Sequence, residues 1–390
     1  MHPQALEAEL AQRKTRSLYR SRRVINSPSA PVVEVEGKHL LTFCSNDYLG
    51  LANHPAVKQA FVAGAERWGV GSGSAHLVTG HTSAHHQLEE ELAAFTGRER
   101  ALLFSSGYMA NLALVTSFSG KGDHVFEDKL NHASLIDGGS MTAASMHRYL
   151  HADVSSLKRQ LATVNTGEKL IATDGVFSMD GDIAPLPGIV QFAEESAALL
   201  MVDDAHGIGV LGENGGGTLA HFELTAQQVP LLMGTLGKAF GCAGAFVAAD
   251  RVYIETLIQK ARSYIFTTAQ PAAVAEASRA ALRLVVKESW RREYLASLVQ
   301  RFRQGAEQLG LPLLQSQTPI QPLLAGSAAR AVRWAEQLYQ QGILVTAIRP
   351  PTVPEDTARL RITFSAIHSE EQVDQLLDAL SHLQANGETA

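Results

Sequence analysis

The sequence predicts an α/β protein: a large, mainly parallel sheet covered by helices on both faces, followed by a smaller α+β unit. Three observations carry that prediction. Between residues 99 and 249, short unbroken apolar runs alternate with helical stretches, the pattern of βα units whose strands are buried on both faces. The polar residues of those runs gather at their C-terminal ends, where open parallel sheets bind ligands. After residue 250 the rhythm changes to long helices and then a short mixed segment.

The elements follow in order. Residues 4–20 read as a helix with Leu6, Leu10 and Leu18 on one side. Arg20, Arg22 and Arg23 come next, either as a solvated basic helix end or as a clamp for a substrate carboxylate. PVVEVEGKHLLTF (31–43) alternates around Glu36-Gly37-Lys38 and reads as a hairpin. SNDYLGL (45–51) is turn chemistry. Helices are expected over 55–68, stopped by Gly69, and over 84–96, capped by Ser83.

The glycine-rich stretch between those helices, 69–83, is no dinucleotide fingerprint: no buried strand precedes it and its spacing departs from G-x-G-x-x-G. His85, His86 and Glu89 suggest metal ligands, but no third well-placed ligand or H-E-x-x-H frame supports them, and no metal is expected.

Strands are then expected at the start of 100–118 before Ser105-Ser106-Gly107, over 123–128 and 146–150, at the start of 168–182 and of 198–212 where each runs into a polar loop, and as LLMGT (231–235) and GAFVAA (244–249). Helices fall over the part of 100–118 after Ser105-Ser106-Gly107, over 132–144 and over 153–164. Further on, 250–263 and 271–310 are helical, the second interrupted near Glu288. The last unit alternates strand 318–326, helix 327–341, strands 343–348 and 359–364, and helix 369–384. IRPPTVP (348–354) is a rigid loop with Arg349 at its start. The expected domains are an N-terminal arm over 1–45, a large α/β domain over 46–285 and a C-terminal α+β domain over 286–390.

Composition narrows the function classes. An apolar content of 45%, a charged content of 18% and a net charge of −6 describe a well-cored globular chain without a dominant basic stripe, which argues against nucleic acid as a partner. No run approaches a membrane span and the N-terminus lacks the apolar core of a signal peptide, so a cytoplasmic protein is expected. Cys44 and Cys242 fit a reducing compartment, as small buried hydrophobes.

The chemistry concentrates at strand ends. LLMGTLGKAFGCAGAFV (231–247) reads as strand, tight turn, strand, with Lys238 on the turn. On that stretch alone an exposed loop-tip lysine is the commoner outcome; a desolvated one would condense with an aldehyde cofactor. Ser106-Gly107-Tyr108 enters a helix N-terminus, a ready phosphate site. Asn131-His132 and Asp203-Asp204-Ala205-His206 leave two other strands. Taken singly, His132 reads as a cap or core histidine and the Asp pair as ordinary strand-end residues. Together a phosphate cradle, a flat ring, a carboxylate and a lysine match the needs of pyridoxal phosphate.

The segments FCSNDYLGL (43–51), SSGYMAN (105–111), NHASL (131–135), DGVFSMDGD (174–182), VDDAHGIGVLG (202–212), TLGKAFG (235–241) and AIRPPTVP (347–354) resemble the pyridoxal-phosphate-dependent α-oxoamine synthases over essentially the whole chain. The resemblance implies an aspartate-aminotransferase-like fold with a seven-stranded sheet, and a homodimer with active sites at its interface.

It also implies roles. Lys238 would hold the cofactor as an imine and move the amino acid's α-proton, and Asp203 would pair with the pyridine nitrogen. His206, helped by Ser178, would bond the phenolic oxygen, and His132 would stack on the ring. Gly107, Tyr108 and Thr235 would surround the phosphate and ring edge, with Thr267 and Thr268 reaching the neighbouring subunit's phosphate. Arg349 would bind the amino acid carboxylate with Asn46 nearby, and Arg20 and Thr352 would contact the acyl group.

DDAHG and RPPTVP favour the members that join L-alanine to pimeloyl-CoA, or a pimeloyl carrier protein, with loss of carbon dioxide in biotin biosynthesis. The rivals are glycine with acetyl-CoA or succinyl-CoA, or serine with a long acyl-CoA, on the same residues, an aminotransferase, and a non-catalytic scaffold of the same fold. Asp174 stands where many relatives carry Glu, and the 72–79 loop also departs from the pattern.

Overall fold

The structure is a computed structural model and describes residues 2–385. By contacts the chain divides into two compact units. One comprises the described residues up to Gly50, Met179–Asp182 and those from Glu293 onward; the other is Leu51–Ser178 with Ile183–Arg292.

The N-terminal helix α1 spans Pro3–Thr15, shorter than the expected 4–20. Ser17 adopts a positive φ of 56°, so Arg20 lies beyond the helix, and no residue of α1 is buried. β1 (Val32–Val35) and β2 (Lys38–Thr42) form the hairpin, turned by Glu36 and Gly37 at positive φ. Next come α2 (Pro55–Trp68), a short π-helical turn His76–Gly80 and α3 (Ser83–Thr96). The cap of α3 is Thr82, not Ser83: its side chain accepts from the backbone of His85, whose ring accepts from the Thr82 amide in return.

The βα units follow: β3 (Arg100–Phe104), α4 (Gly107–Ser117), β4 (His124–Asp128), α5 (Ala133–Met141), β5 (Ser145–Tyr149) and α6 (Val154–Leu161). They continue with β6 (Lys169–Asp174), α7 (Leu186–Glu195), β7 (Leu199–Asp203), α8 (Gly217–His221), β8 (Leu231–Thr235) and β9 (Ala245–Ala249). Helices α9 (Arg251–Lys260), α10 (Arg262–Ile265) and α11 (Ala272–Lys287) complete this unit, and α12 (Trp290–Gln308) begins at its edge. The remainder is β10 (Ile320–Gly326), α13 (Ala328–Gln340), β11 (Ile343–Leu344), β12 (Thr346–Ile348), β13 (Ala358–Thr363) and α14 (Glu370–Ala385).

The large sheet has seven strands in the order β3-β9-β8-β7-β6-β4-β5. All neighbours are parallel except β9, which runs antiparallel to both β3 and β8. Alternate residues of each strand enter two separate cores. Leu170, Ala172, Met201 and Met233 pack with Leu114, Ile254 and Leu257 on one face. Ile171, Leu200, Val202 and Leu232 pack with Leu157, Leu186 and Ile189 on the other. Burial on both faces is why these strands read as unbroken apolar runs rather than alternating ones.

In the other unit β2 is joined along its free edge by β11, and β10-β13-β12 form a second sheet. The single strand expected over 343–348 is therefore two strands in two sheets, parted at Val345. Met179–Asp182 belongs here through its contacts: Ser316 and Thr318 hydroxyls both donate to the Gly181 carbonyl at 2.9 Å, and Arg359 pairs with Asp180.

Glu127 breaks the apolar rule of the large sheet. It sits on β4, fully buried, with neither carboxylate oxygen hydrogen-bonded. Burial pushes its pKa from 4.5 up to about 7, against a smaller lowering by Arg148. Below the unfolded value the group is neutral in both states and costs nothing. As pH rises from about 4.5 to 7 the unfolded chain ionises first, and stability is lost, up to about 3 kcal/mol. Above that window the cost is constant. Glu127→Gln is accordingly expected to raise the melting temperature at pH 8 clearly more than at pH 4.5, read by thermal melts across that range.

Candidate active site

β8 ends at Thr235, and the turn to β9 is closed by backbone hydrogen bonds from Leu236 to Gly244 (2.9 Å), Gly241 to Lys238 (2.9 Å) and Cys242 to Leu236 (2.8 Å). Gly241 has a φ of 65°, and a Cβ there would lie 2.2 Å from the Ala52 amide nitrogen, so only glycine lets the turn pack this closely. The turn presents Lys238, which is half-buried rather than enclosed between the strands. Its Nζ lies 2.8 Å from His206 Nε2, and His206 is buried. The Thr235 hydroxyl donates to the Gly244 carbonyl at 3.1 Å and accepts from the Gly237 amide at 3.2 Å.

Asp203 and Asp204 turn to different partners at the end of β7. The Asp204 carboxylate turns into the protein and accepts from the amide and hydroxyl of Thr218 at 2.8 and 2.9 Å. Burial pushes its pKa up to about 8. Gly217, at φ 82°, makes room for it: a Cβ there would sit 1.7 Å from Asp204 Oδ2. Asp204 thus ties down the 204–218 loop. Asp203, also buried, accepts from Asn111 Nδ2 at 2.6 Å and the Ala205 amide at 2.9 Å.

Asn111 links Asp203 to His132. Its Nδ2 also donates to Ser134 Oγ at 2.8 Å, and that hydroxyl lies 2.7 Å from His132 Nδ1. His132 caps α5, its backbone amide donating to Asp174 Oδ2 at 2.6 Å. The side chain as a whole is exposed, yet its pKa is lowered by local desolvation; Asp203 opposes that shift and Lys238 adds to it. Asp174 pairs in register with Asp203 across β6 and β7, and burial together with Asp203 holds its pKa well above the ordinary carboxylate value.

Asn111 and Ser134 lie inside motifs quoted from the sequence, but neither drew notice as a site residue. The available signal was a polar Asn between Ala110 and Ala113 on the buried side of α4. Its Oδ1 is buried without a partner. Asn111→Ala removes one of two donors to a buried carboxylate, worth about 1.5–3 kcal/mol. A fall in kcat of roughly 10- to 100-fold is expected, with a melting temperature lowered by several degrees because the lost bond also stabilises the fold.

Ser106 caps α4, its hydroxyl accepting from Met109 N at 3.3 Å, and Gly107 is the first helical residue. Beside it Ser105 Oγ donates to the Thr268 carbonyl at 3.4 Å. Tyr108 is exposed; its hydroxyl donates to Asp137 and its ring meets that of His132 edge-on at 6.4 Å. Thr267 is half-buried, Thr268 is exposed and bridges to Ala75, and Ser178 is half-buried in the loop after β6.

Four expected residues lie in the other unit. Arg20 donates to the Thr352 hydroxyl at 3.2 Å, and Arg349 donates to the Tyr19 carbonyl. Arg349 keeps a buried Nε without a hydrogen bond, and burial followed by the nearby Arg20 charge lowers its pKa. Asn46 Oδ1 accepts from the Tyr48 hydroxyl at 3.2 Å and from Arg361 at 3.1 Å, a buried guanidinium that sequence reasoning passed over.

The donor set fits pyridoxal phosphate. A buried carboxylate fixed by two donors suits a protonated ring nitrogen, a half-buried lysine against a histidine suits an imine, and the N-terminus of α4 with Thr235 suits a phosphate. An open groove of about 590 Å³, lined by Ala296, Arg303 and Leu313 among others, contains none of these residues.

Comparison with known proteins agrees with this geometry. The family model described as aminotransferase class I and II matches residues 38–380. The 8-amino-7-oxononanoate synthase of Thioalkalivibrio sulfidiphilus is 60% identical over 98% of this chain and 98% of its own. That of Cellvibrio japonicus is 58% identical over 97% and 96%. Among solved structures, a serine palmitoyltransferase variant of S. paucimobilis with a bound pyridoxal phosphate–myriocin aldimine superposes with a TM-score of 0.93 at 28% identity, covering 98% of this chain and 97% of that one. The 8-amino-7-oxononanoate synthase of Francisella tularensis gives 0.77 at 33%, covering 88% and 97%.

Proposed function

The chain belongs to the class I and II aminotransferase family and, within it, to the 8-amino-7-oxononanoate synthases, and on that premise we propose that it joins L-alanine to a pimeloyl thioester. The alanine Cα–H bond is broken, and Cα bonds to the thioester carbonyl carbon as the thiol leaves. The alanine carboxylate departs as carbon dioxide and a proton returns to Cα, giving 8-amino-7-oxononanoate for biotin synthesis. The observation that carries the reading is Lys238 Nζ at 2.8 Å from buried His206. This pair serves the same unit as the Asp203–Asn111–Ser134–His132 chain of hydrogen bonds.

Pyridoxal phosphate, when bound, supplies an electron sink for the negative charge at the amino acid's Cα. Lys238 removes the α-proton and later returns one, a role open to an amine that can lose its own proton. Asp203 keeps a proton on the ring nitrogen, and its two donors hold the carboxylate ready to do so. His132 offers a flat face, oriented through Ser134. His206 and Ser178 serve the phenolic oxygen, and Gly107, Tyr108 and Thr235 the phosphate and ring edge.

Arg349 takes the amino acid's carboxylate, with Asn46 held for the same end by Arg361. Arg20 and Thr352 take the acyl chain. The adjacent guanidiniums of Arg20 and Arg349 support an anionic substrate there.

The protein works as a homodimer in the cytoplasm, with Thr267 and Thr268 serving the second copy's phosphate. Exposed Val70, Leu77, Val78 and Phe266 support a covered face. They lie on segments tied together by the Ala75–Thr268 bridge and the Ala269 amide to the Ser74 carbonyl. Among the described residues no helix is long and apolar enough to cross a membrane, and the two cysteines are free thiols.

The test is the mass of the product from purified holoenzyme with alanine or glycine, each against pimeloyl-CoA and acetyl-CoA. The proposal expects product from alanine with the pimeloyl thioester. Product only from glycine with the short thioester assigns the sibling reaction.

A further inference from the structure

The sequence offers His85, His86 and Glu89 as ligands on one helix, and the structure rearranges that set. His85 turns inward: its Nδ1 lies 3.1 Å from the Thr82 amide and its Nε2 2.8 Å from the Gln270 carbonyl, so both nitrogens are used. In its place the loop before α3 brings in His81. One donor atom each from His81, His86 and Glu89 lie within 4.8 Å of one another. The geometry points to a binding site for a divalent transition ion of the zinc class on His81, His86 and Glu89, tying the 76–81 turn to α3.

Three features argue for a built site. His86 and Glu89 stand three residues apart, on one face of α3. His81 Nε2 lies 3.9 Å from Glu89 Oε2, too far for a hydrogen bond. Ligands bound at about 2.0–2.1 Å to one tetrahedral ion sit about 3.4 Å apart, so a small approach of the two suffices. The exposed His86 side chain, now 3.5 Å from Glu90, has room to close the third side.

The outer contacts are those of a metal site. His81 Nδ1 lies 3.0 Å from His76 Nδ1, which leaves Nε2 to the ion, and the His76 ring is stacked on Tyr264 at 5.2 Å. Glu89 Oε1 accepts from the Leu103 amide at 3.0 Å, which leaves Oε2 facing inward. Arg100 is close enough to act on both His81 and Glu89, but its guanidinium is paired with Glu255. Two imidazoles and one carboxylate with a side open to solvent suit zinc, cobalt or nickel over calcium or magnesium.

The experiment titrates metal-stripped holoenzyme with zinc chloride by calorimetry and follows the melting temperature with and without zinc. Wild type is expected to bind one zinc per chain and to melt higher with it. His86→Ala, at an exposed position, and Glu89→Gln, which keeps the bond to Leu103, should each weaken zinc binding at least about tenfold and remove the thermal gain. If Glu89→Gln does not fold, His86→Ala alone decides. Absence of zinc binding overturns the site. So does binding that survives His86→Ala, which would place the ion on another pair such as His124 and His147, 3.0 Å apart.

Discussion

Lys238→Ala is expected to lower the rate of alanine-dependent carbon dioxide release from pimeloyl-CoA by at least about 10³-fold, the order that a positioned proton-transfer group supplies. The residue stands on a turn held by backbone hydrogen bonds and by Gly241, so the melting temperature should change little. Lys238→Arg makes the test sharper. It keeps length and charge, but a guanidinium neither gives up its proton nor condenses with an aldehyde. Both variants should be equally inactive. Retention of more than a few per cent of the rate in either one removes Lys238 from the mechanism.

Asp203→Asn should cost about 10²–10³-fold in kcat, the loss associated with removing one preorganised electrostatic partner of the reacting system. The substitution is nearly isosteric; its single carbonyl oxygen keeps one of the two bonds that Oδ2 and Oδ1 accept from Asn111 and Ala205, and an amide nitrogen takes the other oxygen's place. What it removes is the charge. The KM for the acyl thioester is therefore expected to move far less than kcat, and the fold to persist. The same change at Asp204 is the control: that carboxylate holds Thr218, so its loss should be read in melting temperature before kinetics. If Asp203→Asn turns over within a few-fold of wild type, the ring-nitrogen role belongs to another group.

How much of this was legible in the sequence depended on the physical scale of each signal. The large sheet announced itself because strands buried on both faces are apolar along most of their length, as in KLIATD (169–174) and LLMVD (199–203). Helix ends were legible to a few residues, and Ser17 shows why not better: a single left-handed residue ended α1. The break at Val345 left no mark, because two short strands in two sheets have the same alternation as one long strand.

At the site, Lys238, His132 and His206 could be chosen because their chemistry is rare at strand ends. The choice between Asp203 and Asp204 came from the family pattern; in the structure the two carboxylates differ in their partners, one meeting Asn111 and the other Thr218. Asn111, Ser134 and Arg361 stayed hidden because their work is to hold other groups. A polar residue that meets only side chains distant in sequence looks like any other polar residue until those neighbours are in place.

The pairing of β2 with β11 has a consequence for biogenesis. When the ribosome has delivered the hairpin, the strand that will close its open side, Ile343–Leu344, is still some three hundred residues downstream and not yet made. Until then the amides of Leu41 and Phe43 that will donate to the Gly342 and Leu344 carbonyls have no permanent acceptors. The nascent chain must keep that edge from joining other polypeptides during nearly all of its synthesis. Early termination leaves not a smaller enzyme but an unsealed ribbon.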